Sequence, residues 1–79
     1  MKKKILNVIE DGNEDLHILF QTIINDDIEK SVRESAEFLS DMINITEKDI
    51  KDISKELNVG SCWFKEEYFF DITEIKIDG

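Results

Sequence analysis

Residues 14–25, EDLHILFQTIIN, decide how this chain of 79 residues is read. Leu16, Leu19, Phe20, Ile23 and Ile24 recur at i, i+3, i+4, i+7 and i+8, the spacing that lines one face of an α-helix. Asn13 stands at the cap position, and Glu14 and Asp15 fall in the first turn, where the helix dipole favours negative charge. The spacing predicts a helix over 14–25.

Working outward, Asn25-Asp26-Asp27 interrupts the stripe and opens a second helix over 27–44, with Ile28, Val32, Ala36, Leu39 and Ile43 inward. Glu29, Arg33 and Glu37 stand one turn apart on its solvent side. A third helix is expected over 47–58. Thr46 can cap it, Asp49 completes a capping box, and Ile45 and Ile50 can pack across the cap as a hydrophobic staple. Ile50, Ile53 and Leu57 make its inner face, and Gly60 is expected to end it in a left-handed conformation. Upstream, Ile5, Val8 and Ile9 allow a short helix over 3–10, with a strand as the alternative, ended by Asp11-Gly12-Asn13.

Beyond Gly60 the composition turns aromatic and β-branched, from Cys62-Trp63-Phe64 to Ile77, which reads as a β-hairpin over 61–77 turning at Lys65-Glu66-Glu67. Phe70 and Ile72 alternate out of phase with Ile75 and Ile77, so a bulge near Thr73 is expected. The fold class that follows is α+β but mainly α. Three to four short antiparallel helices precede one C-terminal hairpin, in a single domain.

The segment from Ile18 to Ile43 resembles one HEAT repeat, a helical hairpin that other proteins stack into arrays. The residues that carry it are Leu19, Ile23 and Ile24, the Asp26-Asp27 turn, and Val32, Arg33, Ala36 and Leu39. The resemblance implies a helix-turn-helix over about a third of the chain and a role in binding proteins.

Nineteen acidic residues against ten basic ones leave a formal charge of −9. Such a field repels nucleic acid and anionic membrane and steers the chain toward basic surfaces. The lone Cys62 allows no internal disulfide. Together with the lack of a leader or a long apolar run, it points to the cytoplasm. One His and one Cys, forty-five residues apart, make no recognisable nucleophile and base, so no enzyme is expected. His17 reads as a boundary side chain and Cys62 as a small core residue. The acids near residues 11–15 and 26–29 lack the spacing of a calcium loop, and no phosphate-binding loop occurs, so neither metal nor cofactor is expected.

Two functions fit these features. In the first, a non-enzymatic inhibitor of a nucleic-acid-acting enzyme, of the immunity, antitoxin or phage-encoded kind, fills a basic groove on a nuclease or toxin. Its candidate contacts are Glu14, Asp15, Asp26, Asp27, Glu29, Asp49 and Asp52. In the second, a regulatory or assembly module binds through its aromatic hairpin, with Trp63, Glu66, Glu67 and Tyr68 as candidates, and can form a homodimer.

Overall fold

A computed structural model describes residues 2–12, 16–25 and 27–76. Its elements in chain order are β1 (Lys2–Asp11), β2 (Leu16–Ile24), α1 (Ile28–Phe38), α2 (Glu47–Leu57), β3 (Cys62–Phe64) and β4 (Tyr68–Lys76). All strand pairs are antiparallel, in the order β2-β1-β4-β3, so the first and last long strands form the centre of one sheet.

Of the described residues 44% are strand and 31% helix, which overturns the mainly helical reading. Leu16–Ile24 is an edge strand rather than a helix. Ile18, Thr22, Ile23 and Ile24 are β-branched and Phe20 is aromatic, so the stretch suits a pleated surface once a partner strand is present. Its helical spacing comes from a bulge. Val8 pairs with Phe20 and Ile9 with Ile18, leaving Leu19 as the extra residue and breaking the two-residue alternation. Residues 2–11 take the strand alternative, because Leu6 and Val8 face one side while Ile5 and Ile9 face the other. The helical hairpin implied over 18–43 therefore does not form, since its first half lies in the sheet.

The second predicted helix is shorter than 27–44. Asp27 caps α1 by accepting from the Glu29 amide at 3.1 Å, and the helix ends at Phe38, six residues early, with Leu39 as its C-cap. In α2 the Thr46 hydroxyl accepts from the Asp49 amide at 3.2 Å and the Asp49 carboxylate accepts from the Thr46 amide at 3.0 Å. Gly60 has no positive φ. The left-handed residues are Lys65 and Glu66 in the β3–β4 turn. No bulge occurs at Thr73: the β1–β4 register runs unshifted from Lys2 opposite Lys76 to Glu10 opposite Tyr68. Ile75 simply faces the other side from Phe70, while Asn13, Glu14, Asp15, Asp26 and Ile77 lie outside the described residues.

Both helices pack on one sheet face. Val32, Ala36, Leu39, Ile50, Ile53 and Leu57 meet Leu6, Val8, Cys62, Tyr68 and Phe70 in a single core. Each large side chain so buried contributes about 1.5–3 kcal/mol. Arg33 and Glu47 join the helices by an exposed ion pair, whose contribution is small because water screens it.

Candidate binding face

Among the described residues nothing covers the sheet face opposite the helices, and its side chains fall in rows set by the register. One row crosses all four strands: Trp63 lies opposite Phe69, Phe69 opposite Ile9, and Ile9 opposite Ile18. Its centre is half-buried, while its ends, Trp63 and Ile18, are 53% and 60% exposed. The Trp63 and Phe69 rings are 4.9 Å apart between centroids and inclined by 49°, within the range of favourable aromatic pairs.

Beside this apolar row runs a polar one. Gln21 Nε2 donates to Asn7 Oδ1 at 2.7 Å, and Asn7 Nδ2 donates to Thr73 Oγ1 at 2.8 Å. Asn7 is buried by its neighbours, and both ends of its amide are partnered. Asp71 stands opposite Asn7 in the same row. This ladder clamps β2, β1 and β4 together on the side that receives no support from the helices.

At one end of the rows the two hairpins meet, where the Asp11 amide donates to the Glu67 carbonyl at 2.8 Å. Asp11, Glu66 and Glu67 are exposed there. The φ angles of Lys65 and Glu66, 54° and 62°, place two side-chain-bearing residues in the left-handed region, which costs roughly 1–2 kcal/mol each. Lys65 Nζ lies 5.3 Å from the centre of the Phe64 ring.

The sequence-derived candidates divide accordingly. Trp63, Glu66 and Glu67 come together at the β3–β4 hairpin, but Tyr68 points to the helix side and is buried. Its phenol is pushed up in pKa, chiefly by burial. Asp27, Glu29 and Asp49 serve the helix starts, and Asp52 is exposed on α2. The Asp49 carboxyl is held below its ordinary pKa by the Thr46 amide and hydroxyl. Asp27 and Glu29 line an open groove of about 700 Å³ with Lys4, Lys51 and Lys55, a mixture of signs rather than an acidic patch. Glu14, Asp15 and Asp26 lie outside the described residues.

Phe69 belongs to the aromatic run at the C-terminal hairpin, whereas Ile9 and Ile18 escaped the sequence reading. Their signal is present in β1, where Ile5, Leu6, Val8 and Ile9 put apolar side chains on both parities, as expected for a strand contacted on both faces.

Cys62 is buried against the core, and burial with Glu56 nearby pushes its thiol up to about 12. His17 is exposed on β2, opposite Glu10. Among the described residues no group of three or more His, Cys, Asp or Glu is placed to hold a metal ion, and no helix is long and apolar enough to cross a membrane. Comparison with protein-family models, with curated proteins and with solved structures finds no match.

Proposed function

We propose that this protein acts by binding another protein through the uncovered sheet face, without catalysis. The observation that carries the reading is the four-strand row Trp63, Phe69, Ile9 and Ile18, an apolar ridge open to water at both ends. Aromatic side chains in such settings supply large contact area at small entropic cost and dominate binding energies. Asp11, Glu66, Glu67 and Asp71 border the ridge, so the favoured partner offers an apolar surface flanked by basic groups. The lone thiol favours a cytoplasmic setting for this encounter.

A second reading keeps the inhibitor of a nuclease or toxin, with carboxylates standing in for phosphates, and the formal charge of −9 favours it. It ranks second because Lys30, Arg33, Lys48, Lys51 and Lys55 are interspersed with the acids of the helix layer.

An affinity capture from host lysate with the wild-type chain, Trp63→Ala and the pair Glu66→Lys/Glu67→Lys distinguishes the two. A partner that is retained at high salt and lost with Trp63→Ala supports the sheet-face reading. One that leaves in a salt step and ignores Trp63→Ala overturns it in favour of charge mimicry.

A further inference from the structure

The apolar row on the open sheet face is narrow. Ile9 stands between Asn7 and Asp11 along β1, and Phe69 stands between Glu67 and Asp71 along the last strand and its turn. Residues two apart on a strand are separated by about 6.7 Å, so polar groups flank the row on both sides at a spacing of about 13 Å. Only Leu16, opposite Asp11, widens it at the β2 end. A second sheet laid on this face would span several rows and close over Asp71 and the Asn7 ladder, taking a carboxylate out of water. An α-helix, about 10–12 Å across with its side chains, fits between the flanks.

The spacing along the row favours the same shape. Ile18, Ile9, Phe69 and Trp63 stand on successive strands, at roughly 0, 4.8, 9.6 and 14.4 Å along the row. Helix positions i, i+3, i+7 and i+10 fall on one stripe at about 0, 4.5, 10.5 and 15 Å. An extended segment places same-side residues about 6.7 Å apart and supplies only three over that length. The face also offers an extended backbone no ladder, because the hydrogen bonds of a sheet lie in its plane.

We infer that the occupant of this row is a basic amphipathic α-helix of another protein, lying across the four strands with its apolar stripe on Ile18, Ile9, Phe69 and Trp63. The inference rests on the sheet-face reading and specifies its partner. Charge selects a basic helix. Asp11, Glu66 and Glu67 border the row on one side and Asp71 on the other. Lys3 is the only cation among the described strand residues of this face, and it stands three rows away from Ile9. Lysines or arginines beside the helix stripe therefore meet carboxylates on both flanks. A second copy, at a net charge of −9, brings acids to acids instead.

Trp63 is the only tryptophan, so its emission reports whether the row is covered. Three synthetic peptides of about 18 residues, long enough to hold a helix, are titrated into the full chain at physiological salt. One carries leucine and lysine at helical spacing, one the same composition in strict alternation, and one leucine and glutamate at helical spacing. The helically spaced lysine peptide is expected to shift the emission to the blue, to gain helix by circular dichroism and to bind at least tenfold more tightly than the alternating one. The glutamate peptide is expected not to bind. Ile18→Ser, and separately Glu67→Lys with Asp71→Lys, are each expected to weaken binding at least fivefold, and the charge variant decides the matter if Ile18→Ser fails to fold.

Equal affinity for the alternating peptide, still lost with Ile18→Ser, overturns the helix and leaves the sheet-face reading standing. Binding that shifts no emission and ignores Ile18→Ser places the peptide elsewhere and counts against both. If no peptide binds, the helix is overturned, and the Trp63→Ala capture then tests the sheet face by itself. A face-to-face dimer that excludes the peptide, seen by sedimentation, overturns it as well.

Discussion

Trp63 and Phe69 pack ring against ring across the β3–β4 hairpin, 4.9 Å apart, on the face that no helix covers. A pair so placed, with Trp63 half exposed, adds little to folding. Trp63→Ala is expected to cost about 1 kcal/mol, the size of an aromatic pair term. Phe70→Ala, one position along β4 but fully buried, is expected to cost about 3–5 kcal/mol. In a domain of this size the second change approaches the whole stability, about 3–5 kcal/mol. Urea titrations of both variants check the contrast, and a Trp63 that proves as costly as Phe70 contradicts the assignment of faces.

The β3–β4 turn holds Lys65 and Glu66 at positive φ, a conformation that glycine adopts freely. Glu66→Gly is expected to stabilise the protein by up to about 1 kcal/mol, since relief of strain exceeds the added entropy of the unfolded chain. A higher urea midpoint with an unchanged slope is the expected readout. A lower midpoint shows that Glu66 makes a compensating contact.

At the start of α2, Thr46→Ala removes one half of the capping box and is expected to cost about 1 kcal/mol at neutral pH. The Asp49 half depends on pH. Its folded-state pKa is lowered by the Thr46 hydrogen bonds, so its contribution is present above the unfolded value of about 3.9 and is lost as pH falls through the folded one. The stability difference between wild type and Asp49→Ala should therefore hold from neutral pH to about pH 4 and shrink below it. Thermal melts at a series of pH values measure it.

The Cys62 thiol shifts in the opposite sense. Burial raises its folded pKa to about 12, so the unfolded chain loses the proton first. Its contribution is complete below about pH 8.5 and declines as pH rises beyond that. Wild-type stability should fall between about pH 8.5 and 10, before tyrosine ionisation enters, and Cys62→Ala should flatten that slope. In the same range, a thiol reagent should label native Cys62 far more slowly than the denatured chain. Equal labelling rates contradict the burial.

Local chemistry made part of this fold legible. The capping box of Thr46 and Asp49, the inner face Ile50, Ile53 and Leu57, and the turn at Lys65-Glu66-Glu67 all arise from residues a few positions apart, so their pattern alone carries them. The candidate site was half legible: Trp63, Glu66 and Glu67 belong to one hairpin, whereas Ile9 and Ile18 join them only through pairing across strands.

What the sequence by itself determined is the chemistry of each segment: the charge of −9, the capped amphipathic helix, the aromatic hairpin, and an uncharged apolar stretch at 16–24. The tertiary structure alone decided that this last stretch is a strand. Its helical spacing and its β-branched content point to different structures, and the bulge at Leu19 hides the alternation. The choice falls to β1, which offers Leu16–Ile24 a ladder from Asp11 to Lys4 and is itself held by β4 from the far end of the chain. Contacts of that separation leave no local period to read. The open face and the free edge follow from them, because among the described residues both helices pack on one side of a sheet whose outermost long strand has no second neighbour.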